Sequence, residues 1–461
     1  MKALIFSVAN VCLFACFASP AQGPNAGPVD TAFQKQRLDT VASSYARGNA
    51  FMGTVLVVDG DQTLLEKGYG MADLEWNIPN GPEVEYPLCS VTKQFTAALV
   101  LLLEEDGKLN IGDPVGKYLP DAPKSWEKIT LAELLGHTSG IPDIINDKDF
   151  GTWSVTAHSP SEQLALIGDK PLDFEPGSQF EYSNSNYVVL GMVIEKASGE
   201  KYGDILRRRI LIPLGMQHSG LDADDLILPK RAQGYNMTRN GLAPARPAMS
   251  MSVPWAAGSM YATTGDLLRW EQGLFGGKLL SESSLKTMTT AGKGGFGLGV
   301  EVAETDGLTV IKHGGGMPGF SAQLTYVPER KILVAVLSNV YGPAASAMGE
   351  QLLDVALGKR VVLASERKPV PIAKSELNRF AGVYDVGPGF AITIAVGEDS
   401  LTAQGTNQPK PMALMYQGVV DGHARFYVPQ FDAELEFVTD ARGQVTSLVL
   451  HQGGEHPAKK R

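Results

Sequence analysis

The sequence predicts a mixed α/β chain, with one antiparallel sheet flanked by helices, a helical middle, and a small all-β barrel at the end. Three observations predict this. β-like hairpins lie far apart along the chain, around Asp59-Gly60-Asp61-Gln62 and around Pro328-Glu329-Arg330-Lys331, with mostly helical sequence between them. Strands at both ends of a helical stretch imply one sheet closed by distant segments, with helices packed on it. Beyond a charged, proline-bearing stretch, short alternating runs separated by turn residues carry the signature of a β-barrel or sandwich.

The composition allows such a fold. The 461 residues are 44 % hydrophobic and 20 % charged, enough for a large core and a poor match to disorder or a disulfide scaffold. At ~150 residues per domain the length suggests about three units. A net charge of −10 argues against a general electrostatic hold on nucleic acid.

Taken in order, residues 1–21 read as a signal peptide: Lys2, an apolar stretch over Ala3–Ala18, and small residues at Ser19-Pro20-Ala21. The expected destination is periplasmic or secreted. A weaker alternative is lipidation at Cys16. The apolar run is short for a stable membrane span, and no other segment is long enough. With Cys12 and Cys16 removed, Cys89 stands alone, so no intramolecular disulfide forms, and a packed core cysteine is expected.

Helical spacing covers Phe33–Ala46, and β-like runs cover Thr54–Val58 and Thr63–Tyr69. Val91–Glu105 is a long apolar helix stopped by Gly107, Ile129–Leu135 is a short one, and Asn184–Ser198 is a helix closed by Gly199. Ala322–Val327 and Ile332–Leu337 form the second hairpin. Residues 29–358 are thus the expected main unit and 359–375, with Pro369 and Pro371, a linker. Residues 376–461 are the barrel, read from Ala391–Val396, Gly418–Val420, Arg425–Val428, Glu434–Val438 and Ser447–Leu450. Arg425 and Tyr427 are conceivable contacts to a neighbouring cleft.

Three motifs carry chemistry. Ser90-Val91-Thr92-Lys93 is one of five Ser-x-x-Lys matches, and only this one opens a long apolar helix. At i and i+3 the two side chains share a helix face. The helix N-terminus suits a developing oxyanion. A lysine drawn into a partly buried site loses proton affinity and can take the serine proton. Tyr182-Ser183-Asn184 sits at a helix start. A phenol beside a lysine ammonium is expected to have a lowered pKa and to relay protons, while the amide can bind an acyl carbonyl or orient the lysine. His313-Gly314-Gly315-Gly316 precedes a hairpin, and its glycines let a substrate lie along a strand edge. His137 is expected to stabilise a helix end. The seven histidines show no metal-ligand spacing, so neither metal nor cofactor is expected.

Together and in this order, the three motifs resemble those of serine hydrolases of the penicillin-binding-protein and class C β-lactamase group. The match includes Leu134-Leu-Gly-His-Thr-Ser-Gly-Ile-Pro-Asp143 and Gly258-Ser-Met-Tyr-Ala-Thr-Thr-Gly-Asp266. The tail is similar to the lipocalin-like domain that some members append. The resemblance implies a β-lactamase/transpeptidase-like fold with Ser90 as the acylated nucleophile and Lys93 with Tyr182 as the proton-transfer pair. Asn184, His313 and Gly315 would bind substrate, and the N–H groups of Ser90 and Gly316 would form the oxyanion hole. His313 and Gly314 stand where many relatives have Lys-Thr, which weakens the hold on a substrate carboxylate. The leading expectation is therefore an exported hydrolase of amide bonds in small peptides containing D-amino acids, of peptidase or carboxypeptidase type. A β-lactamase, a carboxylesterase and a non-catalytic penicillin- or ligand-binding protein remain alternatives. Its partner is a small-molecule or short-peptide substrate, and the oligomeric state is open.

Overall fold

The computed structural model describes residues 31–461 except 48–49, 239–240, 364–365, 388–389, 399, 407, 409, 421, 430–432, 441 and 452–454. The expected signal peptide, with Cys12 and Cys16, lies outside the described residues.

A six-stranded antiparallel sheet organises the main unit. Its strands are β1 (Gly53–Asp59), β2 (Gln62–Tyr69), β3 (Glu301–Thr305), β4 (Leu308–Met317), β5 (Phe320–Val327) and β6 (Ile332–Ser338). They run in the spatial order β3-β4-β5-β6-β1-β2. The N-terminal hairpin completes the late meander through pairing of Gly53 with Ser338 and Asp59 with Ile332. This is the expected closure by distant segments.

β1 and β6 are apolar on both faces because both faces are covered. Val55, Val57, Val334 and Val336 point toward helices α1 (Thr31–Arg47) and α5 (Ala344–Ala356), meeting Leu38, Val41, Met348 and Leu352. Leu56, Val58, Leu333, Ala335 and Leu337 point the other way. There they join α2 (Thr92–Glu105) and α4 (Thr264–Phe275), where Phe95 stacks on Trp270 at 4.0 Å. α2 is buried from Thr92 to Leu103, as its apolar run requires. α3 (Asn184–Ser198) packs beside it and ends at Gly199, whose φ of 77° supplies the left-handed cap. The short helix begins two residues later than its apolar run, at Leu131–Leu135, because Thr130 caps it with Glu133 in a reciprocal box.

Residues 359–373 carry no regular element in the described part, and the helix Lys374–Leu377 begins inside the expected linker. Arg37 of α1 holds this stretch through Glu366 and the carbonyl of Val361. The C-terminal unit is a nine-stranded antiparallel sheet. Its two edge strands, Met412–Ala413 and Met415–Val420, are separated only by Leu414, so the sheet curls into a nearly closed barrel. Phe380, Phe426 and Phe437 fill its interior, with ring centroids 4.9–5.4 Å apart. Strands Gly382–Gly387, Leu401–Gly405 and Glu455–Lys460 add to the alternating runs read from the sequence. Arg425 and Tyr427 do not project to a neighbour: Arg425 pairs with Glu434 and Glu436, and Tyr427 is buried beneath Arg367. Among the described residues, no helix is long and apolar enough to cross a membrane.

Candidate active site

Ser90 lies in a tight turn, Cys89–Val91, that feeds directly into α2. Cys89 adopts φ 51°, a left-handed conformation costing a non-glycine residue about 1–3 kcal/mol. Surrounding contacts hold it there. Its thiol packs with Met251 and Met317, the Leu88 N–H donates to Met260 O at 2.7 Å, and the Met260 N–H donates to Thr92 Oγ1 at 3.1 Å. Cys89 is thus a packed core cysteine, and burial pushes its thiol well up.

One turn on, Lys93 is fully buried. Its ammonium donates to Ser90 Oγ at 3.1 Å, to Asn184 Oδ1 at 2.8 Å and to the Ala257 carbonyl at 2.8 Å. Loss of solvation pulls its pKa down to about 7, against the opposing pull of Asp143. The Ala257 carbonyl belongs to the short helix Trp255–Gly258, which is also held by Thr96 Oγ1 donating to Ala256 O at 2.6 Å. Asn184 is oriented from behind, where its Nδ2 donates to Asp143 Oδ2 at 3.0 Å. That carboxyl is buried and raised above its usual range by desolvation, with the Ile145 N–H and Lys93 opposing the rise. Asp143, Asn184, Lys93 and Ser90 therefore form one continuous hydrogen-bonded row.

The Tyr182 ring lies 4.9 Å from Lys93 Nζ. Its phenol is pushed well up by burial, not lowered as expected from a neighbouring ammonium. The reason is that desolvation of the buried phenol outweighs the effect of the neighbouring groups. The hydroxyl lies near enough to Ser90 for the serine to oppose the rise, yet it makes no regular hydrogen bond to a described group. His137 stacks on Tyr182 at 4.3 Å and accepts the Ser183 N–H on Nδ1 at 3.1 Å. It does terminate the Leu131–Leu135 helix, at φ 55°, as its sequence position suggests. It also forms the floor beneath the phenol, together with Phe296.

On β4, residues 313–317 run past the end of β3, which pairs only as far as Lys312. This stretch packs against the Ser90 turn. A Cβ on Gly315 would fall 2.6 Å from Leu88 O and 2.9 Å from Ser90 N, so only glycine fits. His313 is buried, and desolvation holds its pKa down to about 3. It is therefore neutral, with Nδ1 2.6 Å from Gly314 O.

A cleft of about 260 Å³ opens beside Ser90. Ser90, Tyr182, Asn184 and Gly316 line it. Lys93, His313 and Gly315 lie next to these residues, Lys93 and His313 buried and Gly315 half-buried. Sequence reasoning missed Asp143, His137 as the support of Tyr182, Phe296, and the Ala257 carbonyl. Of these, Asp143 had a signal, as the last residue of the Leu134–Asp143 segment. The arrangement presents a hydroxyl at the edge of a cleft to a buried amine whose pKa is about 7, which suits nucleophilic attack on an acyl carbon.

Comparison with known proteins agrees with this geometry. The Beta-lactamase family model matches residues 38–357, and a domain of unknown function (DUF3471) matches 366–459. The chain is 33 % identical over 304 residues to the Bacillus subtilis (strain 168) protein PbpX, covering 66 % of this chain and 74 % of that one. It is 26 % identical over 454 residues to Penicillin-binding protein 4* of the same organism, covering 92 % and 98 %. The crystal structure of a D-stereospecific amidohydrolase from Streptomyces sp. superposes with a TM-score of 0.58 at 28 % identity, covering 68 % of this chain and 95 % of that one. The chain belongs to the beta-lactamase and penicillin-binding-protein family of serine hydrolases.

Proposed function

We propose that the protein is an exported serine hydrolase that cleaves amide bonds of small peptides containing D-amino acids through an acyl-Ser90 intermediate. The observation that carries this reading is the 3.1 Å contact between Ser90 Oγ and a buried Lys93 whose pKa is about 7. At neutral pH about half of such lysine is free base. Ser90 Oγ bonds to the acyl carbon and its proton passes to Lys93. The carbonyl oxygen takes up negative charge, which the Ser90 and Gly316 N–H groups stabilise in their role as oxyanion hole. The C–N bond then breaks, and the proton reaches the leaving nitrogen by way of the Tyr182 phenol. Water attacks the ester through the same groups, releasing the acid and restoring Ser90. Asn184 holds Lys93 in register, and His313 and Gly315 shape the strand edge along which substrate lies.

The likeness to a D-stereospecific amidohydrolase supports D-configured amides as first substrates. Residues 1–21 act as the export signal, 29–358 as the hydrolase unit, 359–375 as the linker and 376–461 as a lipocalin-like barrel. The test assays N-acetylated D-alanyl peptides, a chromogenic cephalosporin and a short-chain nitrophenyl ester in parallel with Ser90→Ala. Loss of D-peptide turnover in a folded Ser90→Ala variant, with an acyl adduct on Ser90 in the parent, is expected. An unaffected rate in Ser90→Ala refutes the proposal, and a cephalosporin rate far above the peptide rate moves the assignment to a β-lactamase.

A further inference from the structure

We propose that the cleft beside Ser90 is an acyl subsite for an uncharged, apolar group, so that preferred substrates are amides or esters whose acyl part carries neither free carboxylate nor free ammonium. This rests on the acyl-Ser90 reading and specifies what that serine is offered.

The apolar lining of the cleft is built largely from Ile144, Ile145, Phe150, Met249, Val253 and Met317. Among the described residues that line the cleft, none is Lys, Arg, Asp or Glu. The two ionisable groups there, Cys89 and Tyr182, are held neutral by burial. The nearby charges are already engaged. Lys93 is shared among Ser90, Asn184 and Ala257, and Asp143 is buried and committed to Asn184 and the Ile145 N–H. A charged acyl group entering this wall loses hydration and gains no partner.

The Met249–Val253 part of the wall is also held by hydrogen bonds. The Ser250 N–H donates to Ser154 O at 2.9 Å, the Met251 N–H to Asp224 Oδ1 at 2.7 Å, and the His158 N–H to Ser252 Oγ at 2.9 Å. At about 260 Å³ the cleft falls just below the usual range of about 300–1,000 Å³ for whole-ligand pockets. That suits one apolar side chain better than an extended peptide.

The test uses three matched esters: 4-nitrophenyl phenylacetate, its 4-carboxy derivative and its 4-aminomethyl derivative. Each is measured for kcat/KM on the full chain and for an adduct on Ser90 by intact-mass spectrometry. The neutral ester should lead both charged ones by roughly 100-fold, the scale on which an apolar pocket rejects an added polar group. Ile145 is 47 % exposed, so it accepts a charged replacement without burying it. Ile145→Lys should narrow the deficit of the carboxy ester by about tenfold or more while leaving the aminomethyl ester behind, and Ile145→Glu should do the reverse. Charged and neutral esters turning over within about threefold of one another overturn the subsite alone. So does a folded pair of Ile145 variants that leaves the ranking unmoved. An absence of both turnover and any Ser90 adduct with all three esters overturns the acyl-serine reading, and the subsite falls with it.

Discussion

Replacing Asp143 by asparagine should make the enzyme work better at mildly acidic pH. The row Asp143–Asn184–Lys93 places a carboxylate behind the amine proposed to receive the serine proton, with hydrogen bonds of 3.0 and 2.8 Å on either side of one amide. The other titratable groups around Lys93 are uncharged at neutral pH: Cys89, Tyr182 and Tyr187 are pushed up by burial, and His137 and His313 are pushed down. Asp143 is therefore the charge that holds the lysine pKa as high as about 7. At roughly 7 Å and an effective dielectric of about 20 the attraction is about 2.4 kcal/mol, or ~1.7 pKa units. The replacement amide keeps an oxygen to accept from the Asn184 amide, loses the charge, and gives up the weaker 3.4 Å bond that Asp143 Oδ1 accepts from the Ile145 N–H. The rising limb of kcat/KM against pH should then move down by about 1–2 units, and at pH 6 the variant should reach roughly five- to tenfold more of its own plateau than the parent does. Asp143→Ala, which also frees the Asn184 amide, should lower the plateau about tenfold or more. The assay is ester hydrolysis from pH 4.5 to 9 with circular dichroism at each end. An unmoved limb in a folded Asp143→Asn variant refutes the electrostatic argument.

Lys93→Arg should abolish acylation at every pH, because a guanidinium stays protonated and cannot take the serine proton; recovery at alkaline pH would contradict the proton-acceptor role. Gly315→Ala should cost about 1–3 kcal/mol in urea unfolding and slow acylation, since its methyl group meets Leu88 O and Ser90 N. Full activity there would mean that the turn yields freely. Phe426→Ala should destabilise the barrel by about 3–5 kcal/mol, separating its transition in calorimetry, while Ser90 acylation is unchanged. A parallel loss of acylation would tie the barrel to the active site.

Much of this was legible because local rules and tertiary demands coincide. The Asn184–Ser198 helix ends where Gly199 permits a left-handed cap, and β1 and β6 read as continuous apolar runs because helices cover both their faces. Ser90 and Lys93 share a face by helical spacing alone. The sign of the Tyr182 shift was not legible. A sequence reveals which charge is near a phenol but not how much water has been removed, and here desolvation dominates. Asp143 and the Ala257 carbonyl were missed for another reason: they act on Lys93 from segments whose approach depends on the packing of α3 and the Trp255–Gly258 helix against α2. In the barrel, Glu455–Lys460 lacks β-branched residues, and its pairing with Val445–His451 and Gly382–Gly387 makes it a strand.

The dryness that discharges Lys93 also carries a stability signature. His137 accepts the Ser183 N–H on Nδ1, so its proton resides on Nε2. His313 directs Nδ1 at the Gly314 carbonyl, so its Nε2 is a bare acceptor. Among the described residues, neither Nε2 atom nor the Tyr182 hydroxyl has a regular hydrogen-bond partner. Both histidines are held neutral in the folded chain, while in the unfolded chain they protonate near pH 6.5. Below that pH the unfolded state binds more protons, so folding stability must fall as pH falls, until the folded pKa is reached at about 3 for His313. The loss from pH 6.5 to 4.5 is about 2 kcal/mol per histidine. Urea unfolding across this range should therefore decline less steeply in His313→Gln by about that amount, whatever the variant's stability at pH 7. An identical decline in parent and variant would mean that the imidazole already meets water, and the dry cleft on which the lysine chemistry depends would be lost with it.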